Sequence, residues 1–279
     1  MEFKTLENCS VTEIATTFNK AFSDYFIPIQ LTTDQLNAKM IVDKTERAIS
    51  IGAFDNDKLV ALMLHGKDII NGETIAYNSG TGVIPEYRGN GLTKEMYKRL
   101  EQRLEHHNIS KIVLEVISEN IQAIKSYEKS GFQIKRELAC FKGHPKSIKP
   151  SWNLKSIDLT AQNWKLMQSF WNIEPTWQNS INVLNTIKDT ISALGAYSDE
   201  QLVGYCIYDP NTKRIHQIAV KKEYRQQGIG TSFVSSISVD YEQVISIINV
   251  DRISRATFNF FEGLGMENNF NQFEMIKSL

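Results

Sequence analysis

Apolar positions along this chain follow two alternating periods. In "SVTEIATTFNKAF" (10–22), Ile14, Phe18 and Phe22 recur at helical spacing behind Ser10 and Glu13, which stand at capping-box separation. "TDQLNAKMIV" (33–42) reads as a second short helix. "AISIGAF" and "KLVALMLHG" read as strands joined by the turn "DNDK", and "GETIAYNSGTGVI" extends the strand region. A long amphipathic helix is predicted over 92–107, a buried strand over "KIVLEVI", and a helix over "NIQAIKSYEKSGF" that Gly131 ends in a left-handed cap. "FKGHPKSIKPSW" then loses periodicity and gathers two prolines and three lysines, as a linker does.

Beyond it the pattern restarts. "GAFDNDKLVA" (52–61) aligns with "GAYSDEQLVG" (195–204), "EYRGNGLT" (86–93) with "EYRQQGIG" (223–230), and "YEKSGF" (127–132) with "FEGLGM" (261–266). Three matches in one order predict two copies of one α/β domain, the first over 1–143, a linker over 144–152 and the second over 153–279.

Composition narrows the setting. Hydrophobic residues make up 42% and charged residues 23% of 279 positions, enough for two cores, and the net charge of −1 offers no field for nucleic acid or an anionic membrane. No apolar run is long enough to span a bilayer, and "MEFKTLENCS" has no basic-then-apolar leader. Cys9, Cys140 and Cys206 stand apart, without metal-ligand spacing, so a reduced cytoplasmic setting with no metal is expected.

The chemistry concentrates where a strand hands over to a helix, in "GVIPEYRGNGLTKEMYKRL" (82–100) and again in "QIAVKKEYRQQGIGTSFVSSI" (217–237). Unpartnered N–H groups and the helix dipole put positive potential at such a start, and glycines let an anion reach the backbone. The plainer reading is a pair of tight turns. The phosphate loop with Gly-Lys-Ser/Thr is absent, and Lys94 and Phe233 stand where a dinucleotide fingerprint needs its third glycine. "VIPEYRGNGLT" and "AVKKEYRQQGIG" resemble the Arg/Gln-x-x-Gly-x-Gly/Ala signature of the GNAT superfamily of N-acetyltransferases, and "LEVISENIQAIKSYEKSGF" resembles that family's following strand and helix.

The resemblance implies two copies of a GNAT-like mixed central sheet flanked by helices. It also implies acetyl-CoA as co-substrate, its pyrophosphate on loop N–H groups and its pantetheine arm in a splay between the fourth and fifth strands. Cofactor contacts would be Val83, Ile84, Arg88, Gly89, Asn90, Gly91, Leu92 and Thr93 in the first copy, with Asn120 at the next helix start. In the second they would be Val220, Lys221, Arg225, Gln226, Gln227, Gly228, Ile229 and Gly230. Thr93 departs from the usual small residue and crowds the helix start; Lys222 replaces Pro85.

Attack of an amine on a thioester needs a base, an oxyanion donor and a proton for the departing sulfur. A backbone N–H at the end of the Val83 strand is the expected donor. Glu115, a carboxylate among apolar residues in "KIVLEVI", is the candidate base, unless it sits at an edge facing water. Tyr127 is the candidate acid, unless it is a core aromatic. Glu115, Asn120 and Tyr127 match the spacing of base, helix-start Asn and acid in ribosomal-protein N-terminal-alanine acetyltransferases. In the second copy the aligned residues are Asn249, Ser254 and Phe261, and Asp251, on the same strand face as Asn249, is a weak substitute base.

Chemistry is therefore expected in the first copy, by direct attack, with a small-molecule or peptide amine as acceptor. The second copy would bind acyl-CoA idly or act as scaffold. The rival reading is a non-catalytic acyl-CoA-binding or sensing protein, or a scaffold that has kept the fold alone. No nucleic acid or membrane partner is expected, and the chain could be a monomer or a homodimer. His106 and His107 read as surface residues at a helix end, and Trp152, Trp164, Trp171 and Trp177 as acceptor-groove or inter-domain packing residues.

Overall fold

The computed structural model describes residues 1–25, 29–238 and 244–279. It divides into two compact units, one of residues 1–135 with 274–279 and one of residues 136–273. Both are α/β with a mixed sheet. No helix among the described residues is long and apolar enough to cross a membrane.

The first unit contains β1 (Glu2–Thr5), α1 (Val11–Ala21), α2 (Thr33–Val42), β2 (Ile51–Asp55), β3 (Lys58–Ile70), β4 (Glu73–Val83), α3 (Leu92–His106), β5 (Lys111–Ile117) and α4 (Ile121–Lys129). Its strands run β1-β2-β3-β4-β5, antiparallel up to β4, with β4 and β5 parallel. Ser10 caps α1 by accepting from Glu13 N at 3.1 Å, at the spacing the sequence shows. Ile14 and Phe18 then bury against Leu36, Met40, Leu59, Leu62 and Leu64. Helix α1 lies close over β4 because Gly82 carries no side chain: a Cβ there would stand 2.7 Å from that of Ala21. Gly131 ends α4 at φ +92° as predicted.

The second unit repeats this order with β7 (Leu154–Ser156), α5 (Trp164–Gln168), α6 (Ile181–Thr186), β8 (Ser192–Ser198), β9 (Gln201–Tyr208), β10 (Arg214–Val220), α7 (Ile229–Ile237), β11 (Ile245–Asp251) and α8 (Arg255–Gly263). Its strands run β7-β8-β9-β10-β11, and β10 and β11 form its parallel pair.

The last strand of each copy does not stay with the unit that precedes it in sequence. From Arg136, β6 (Gln133–Gly143) belongs to the second unit, where it pairs antiparallel with β11 through Leu138↔Asp251 and Phe141↔Ile247. The end of β12 (Glu267–Ser278) belongs to the first unit. There Leu279 N donates to Ser110 O at 2.9 Å, and Lys277 donates to Ser130 O at 2.6 Å and to Glu101. The units thus differ from the expected contiguous domains at 1–143 and 153–279. Local periodicity marks a strand but carries nothing about which distant strand it pairs with.

Candidate active site

In the first unit, β4 and β5 pair only at Ile75↔Lys111, Ala76↔Ile112 and Tyr77↔Val113. Past Tyr77 the two strands separate, and β4 carries a bulge, its partners on β3 shifting between Leu64↔Gly80 and His65↔Asn78. Asn78 holds that bulge: its Oδ1 accepts from Gly80 N at 3.0 Å, while Nδ2 donates to Thr81 Oγ1 at 2.7 Å and to Tyr97 Oη at 2.5 Å.

The two candidate catalytic residues attach to either end of this stretch. Glu115 is half-buried on β5, two residues past the last pair, and Tyr77 Oη donates to its Oε2 at 2.5 Å. Tyr127 is buried on α4, its ring packed edge-on to Tyr97 at 6.4 Å. Burial pushes its phenol up to about 12, partly offset by a hydrogen bond to Thr81, while the charge of Tyr25 adds to the rise. Asn120 caps α4, accepting from Ala123 N at 3.1 Å, and its side chain also hydrogen-bonds Tyr25.

The loop between β4 and α3 is built on left-handed backbone. Gly89 has φ +79° and Gly91, the N-cap of α3, φ +71°. Among the described residues, chain neighbours aside, no atom lies within 4 Å of where a Cβ would stand on either, so the face over the helix start is open. The Arg88 guanidinium is committed elsewhere, to both Asp24 oxygens at 2.7 Å, Ala21 O at 2.9 Å and Val83 O at 3.1 Å. It therefore ties the end of α1 to the loop, and its hydrogen bond holds the Asp24 carboxyl below the usual range. The Arg88 N–H is spent as well, donating to Pro85 O at 3.2 Å. Asn90 Nδ2 donates to Tyr87 O at 3.1 Å, and the Ile84 N–H is spent on Val60 O at 3.0 Å. Leu92 is buried as the first residue of α3, and Thr93 follows half-buried.

The second unit repeats the frame. Arg225 donates to Val220 O and Phe170 O, both at 2.9 Å, and Lys221 N donates to Val203 O at 2.8 Å. Gln226 takes the left-handed conformation at φ +60° where the first unit has Gly89, at a cost of roughly 1–2 kcal/mol.

Here the loop is covered by the chain itself. Ser151 Oγ lies 2.6 Å from where a Cβ on Gly228 would stand, and Trp152 Nε1 donates to Gln227 O at 2.9 Å. The amides of Ser151 and Trp152 both donate to Ser232 Oγ, at 3.0 and 3.2 Å. Ile229 is buried in the first turn of α7, and the Phe260 ring comes within 3.0 Å of a Cβ on Gly230. The aligned pair in the first unit is Thr93 and Ser126, so large and small have changed places.

Nor does the second unit offer a matching base. Asn249 is buried at φ +62°, donating to Thr176 Oγ1 and accepting from Gln272. The left-handed residue shifts the register of β11 between Ile247 and Val250, so the simple alternation that put Asp251 on the face of Asn249 does not apply. Asp251 instead pairs with Arg136 at 3.5 Å. Phe261 is fully buried, and Ser254 caps α8. The tryptophans go to separate places: Trp164 donates to Asn185, Trp171 to Tyr205, and Trp177 is buried.

Tyr77, Asn78, Thr81 and the Ser151–Trp152 cover were missed by sequence reasoning. The signal for the bulge was Gly80 inside the strand next to Asn78 and Ser79, since a glycine in a strand interior often marks a bulge. Among the described residues no group of three or more His, Cys, Asp or Glu is placed to hold a metal ion.

Comparison with known proteins agrees with this architecture. The model of the acetyltransferase (GNAT) family matches residues 12–132 and 157–265. N-alpha-acetyltransferase 30 of Schizosaccharomyces pombe is 29% identical over 84 residues, 30% of this chain and 56% of the relative, so the match spans about half its length. Two solved structures superpose over both units. A GCN5-related N-acetyltransferase from Sphaerobacter thermophilus has a TM-score of 0.74 at 13% identity, covering 99% of this chain and 95% of that one. A tandem GNAT protein from the clavulanic acid biosynthesis pathway has 0.72 at 11%, covering 99% and 98%. At such identities these structures speak for the fold alone. With the family model matching both halves of a duplicated α/β chain, this protein belongs to the acetyltransferase (GNAT) family as a tandem-domain member.

Proposed function

We propose that the protein is an N-acetyltransferase that moves an acetyl group from acetyl-CoA to a primary amine, with its chemistry in the first unit. The observation that carries this reading is the contrast between the two loops. The first is open over Gly89 and Gly91, and the second is covered by Ser151 and Trp152. An open left-handed glycine turn at the start of a 15-residue helix suits a diphosphate, which the amides of 89–93 would hold. Acetyl-CoA supplies the activated acyl group and a thiolate leaving group.

The reaction forms an N–C bond to the thioester carbonyl, breaks the C–S bond, and takes one proton from nitrogen while giving one to sulfur. Glu115, oriented by Tyr77, accepts the amine proton. Tyr127 stays protonated across the neutral range, because burial holds its phenol near 12. Full transfer to a thiolate whose conjugate acid has a pKa of ~8.5 would be uphill by about 5 kcal/mol. Its part is therefore to donate a hydrogen bond to the departing sulfur as charge develops, with solvent completing the protonation. No cysteine stands beside the proposed base; all three are buried thiols, which supports direct attack.

The acceptor is a small-molecule or peptide amine. The relative named an N-alpha-acetyltransferase favours including peptide α-amines in the first panel. The test is thiol release from acetyl-CoA with amine acceptors, run on the protein and on Glu115→Gln and Tyr127→Phe. Loss of at least tenfold in kcat for each supports the assignment. A double variant that turns over at the full rate removes the chemistry from this site.

A further inference from the structure

Strand β4 brings two polar side chains, Asn78 and Thr81, onto one face. Asn78 stands opposite His65, Thr81 opposite Met63 and Gly80 opposite Leu64, which leaves Ser79 as the extra residue of the bulge. Without that residue, simple alternation would send positions 78 and 81 to opposite faces. Both lie beyond Tyr77↔Val113, the last pair that β4 makes with β5. The Tyr127 phenol hydrogen-bonds Thr81, so its oxygen lies along this separated stretch.

The direction of each hydrogen bond follows from which atoms can only donate. Gly80 N donates to Asn78 Oδ1 at 3.0 Å, which fixes the orientation of the amide. Asn78 Nδ2 therefore sends its hydrogens to Thr81 Oγ1 at 2.7 Å and to Tyr97 Oη at 2.5 Å. Tyr97 is 1% exposed, and among the described residues its hydroxyl has one further hydrogen-bond partner, Thr81. An amide nitrogen cannot accept, so the Tyr97 proton goes to Thr81 Oγ1. A hydroxyl oxygen has two accepting places, and Asn78 and Tyr97 fill both. Thr81 then meets Tyr127 with its own proton. The phenol accepts it and keeps its proton unspent.

We propose that Thr81 is a positioning residue: held by Asn78, it donates to the Tyr127 phenol and so turns the phenol's proton toward the departing sulfur. The inference rests on the chemistry proposed for the first unit and names what aims its hydrogen-bond donor. Thr81 loses no proton, the phenol stays bonded to its own, and solvent still protonates the thiolate. A bond donated to the phenol oxygen favours charge there, and it offsets part of the rise that burial causes. The phenol's hydrogen bond to sulfur strengthens accordingly.

Thiol release from acetyl-CoA, with a peptide bearing a free α-amine as acceptor, is measured for the full chain. The variants are Thr81→Val, Thr81→Ser, Tyr127→Phe and the double variant of Thr81→Val with Tyr127→Phe. Valine keeps the shape and loses the hydroxyl, whereas serine keeps the hydroxyl. Thr81→Val should lower kcat about tenfold with KM for acetyl-CoA within about twofold, and Thr81→Ser should recover most of the rate. Thr81→Val should cost nothing further on top of Tyr127→Phe, which separates action through the phenol from lost packing. A second readout needs no turnover: a fluorinated tyrosine at 127 brings the phenol's titration into the range where the protein is folded. Thr81→Val should raise its midpoint by about one pH unit and Thr81→Ser should leave it in place. Tyr25, whose charge also acts on this phenol, is the same in every variant. If urea unfolding shows that the valine variant does not fold, Thr81→Ala removes the same donor. A slow Tyr127→Phe beside a full-rate Thr81→Val overturns this inference alone, as does an unmoved midpoint or a further loss in the double variant. Tyr127→Phe at full rate overturns the proposed chemistry, and this assignment with it.

Discussion

Replacing His65 with leucine should remove a large part of the protein's sensitivity to acid. His65 lies on β3 opposite Asn78, is fully buried, and among the described residues has no hydrogen-bond partner at either ring nitrogen. Its ring meets the edge of Tyr97 at 6.1 Å, and Tyr97 shares Asn78 with the β4 bulge. Burial pushes its imidazole down from 6.5 to about 3. The folded value lies below the unfolded one, so between these limits the unfolded chain holds a proton that the folded chain refuses. Its contribution is fully present above pH 6.5 and is lost as pH falls toward 3. The slope is about 1.4 kcal/mol per pH unit, and the total about 5 kcal/mol as a ceiling.

His216 in the second unit titrates over the same window, again chiefly by burial, so the measurement is a difference between proteins. Urea unfolding of the protein and of His65→Leu is followed at pH 7, 6, 5 and 4. The stability difference should move in favour of leucine by about 1 kcal/mol or more for each unit below 6. Amide exchange along β3 and β4 localises the effect to the first unit. Equal slopes would refute the claim that this histidine is held neutral by its surroundings.

Three further outcomes follow from the same geometry. Tyr77→Phe keeps the ring but removes the donor to Glu115, and hydrogen bonds to charged groups contribute about 1.5–3 kcal/mol. Steady-state kinetics should therefore show kcat lower by about tenfold to a hundredfold with the KM for acetyl-CoA little changed. Gly91→Ala puts a side chain at φ +71° and into the open face over α3, so KM for acetyl-CoA should rise by about tenfold, with about 1 kcal/mol lost in urea unfolding. Gln226→Gly relieves a left-handed glutamine and should stabilise the second unit by roughly 1 kcal/mol, read as slower amide exchange in β10.

Much of this fold is legible in local pattern. Ser10 with Glu13, the helix from Leu92, and Gly131 after α4 fall where spacing and capping place them. The two strand–turn–helix passages are legible for the same reason, since a positive φ just before a helix selects glycine at 91 and 228. What escaped the sequence depends on distant residues. Whether β6 pairs within its own copy is decided by contacts more than a hundred residues away, such as Leu138 with Asp251. The Arg88 side chain's tie to Ala21 and Asp24 was not legible, because it requires α1 to lie over β4. The cover on the second loop comes from Ser151 and Trp152, which sequence pattern reads as linker. Asp251 lost its place as a substitute base to one left-handed residue, Asn249, which broke the alternation of β11.

The account's central claim is that one loop of two holds the coenzyme, and calorimetry with CoA, followed by a crystal of the complex, tests it directly. The expected result is one molecule per chain, its diphosphate on the amides of 89–93 and its thiol in the gap beyond Tyr77. Two molecules per chain, one molecule on the loop of Gly228, or none at all would contradict it.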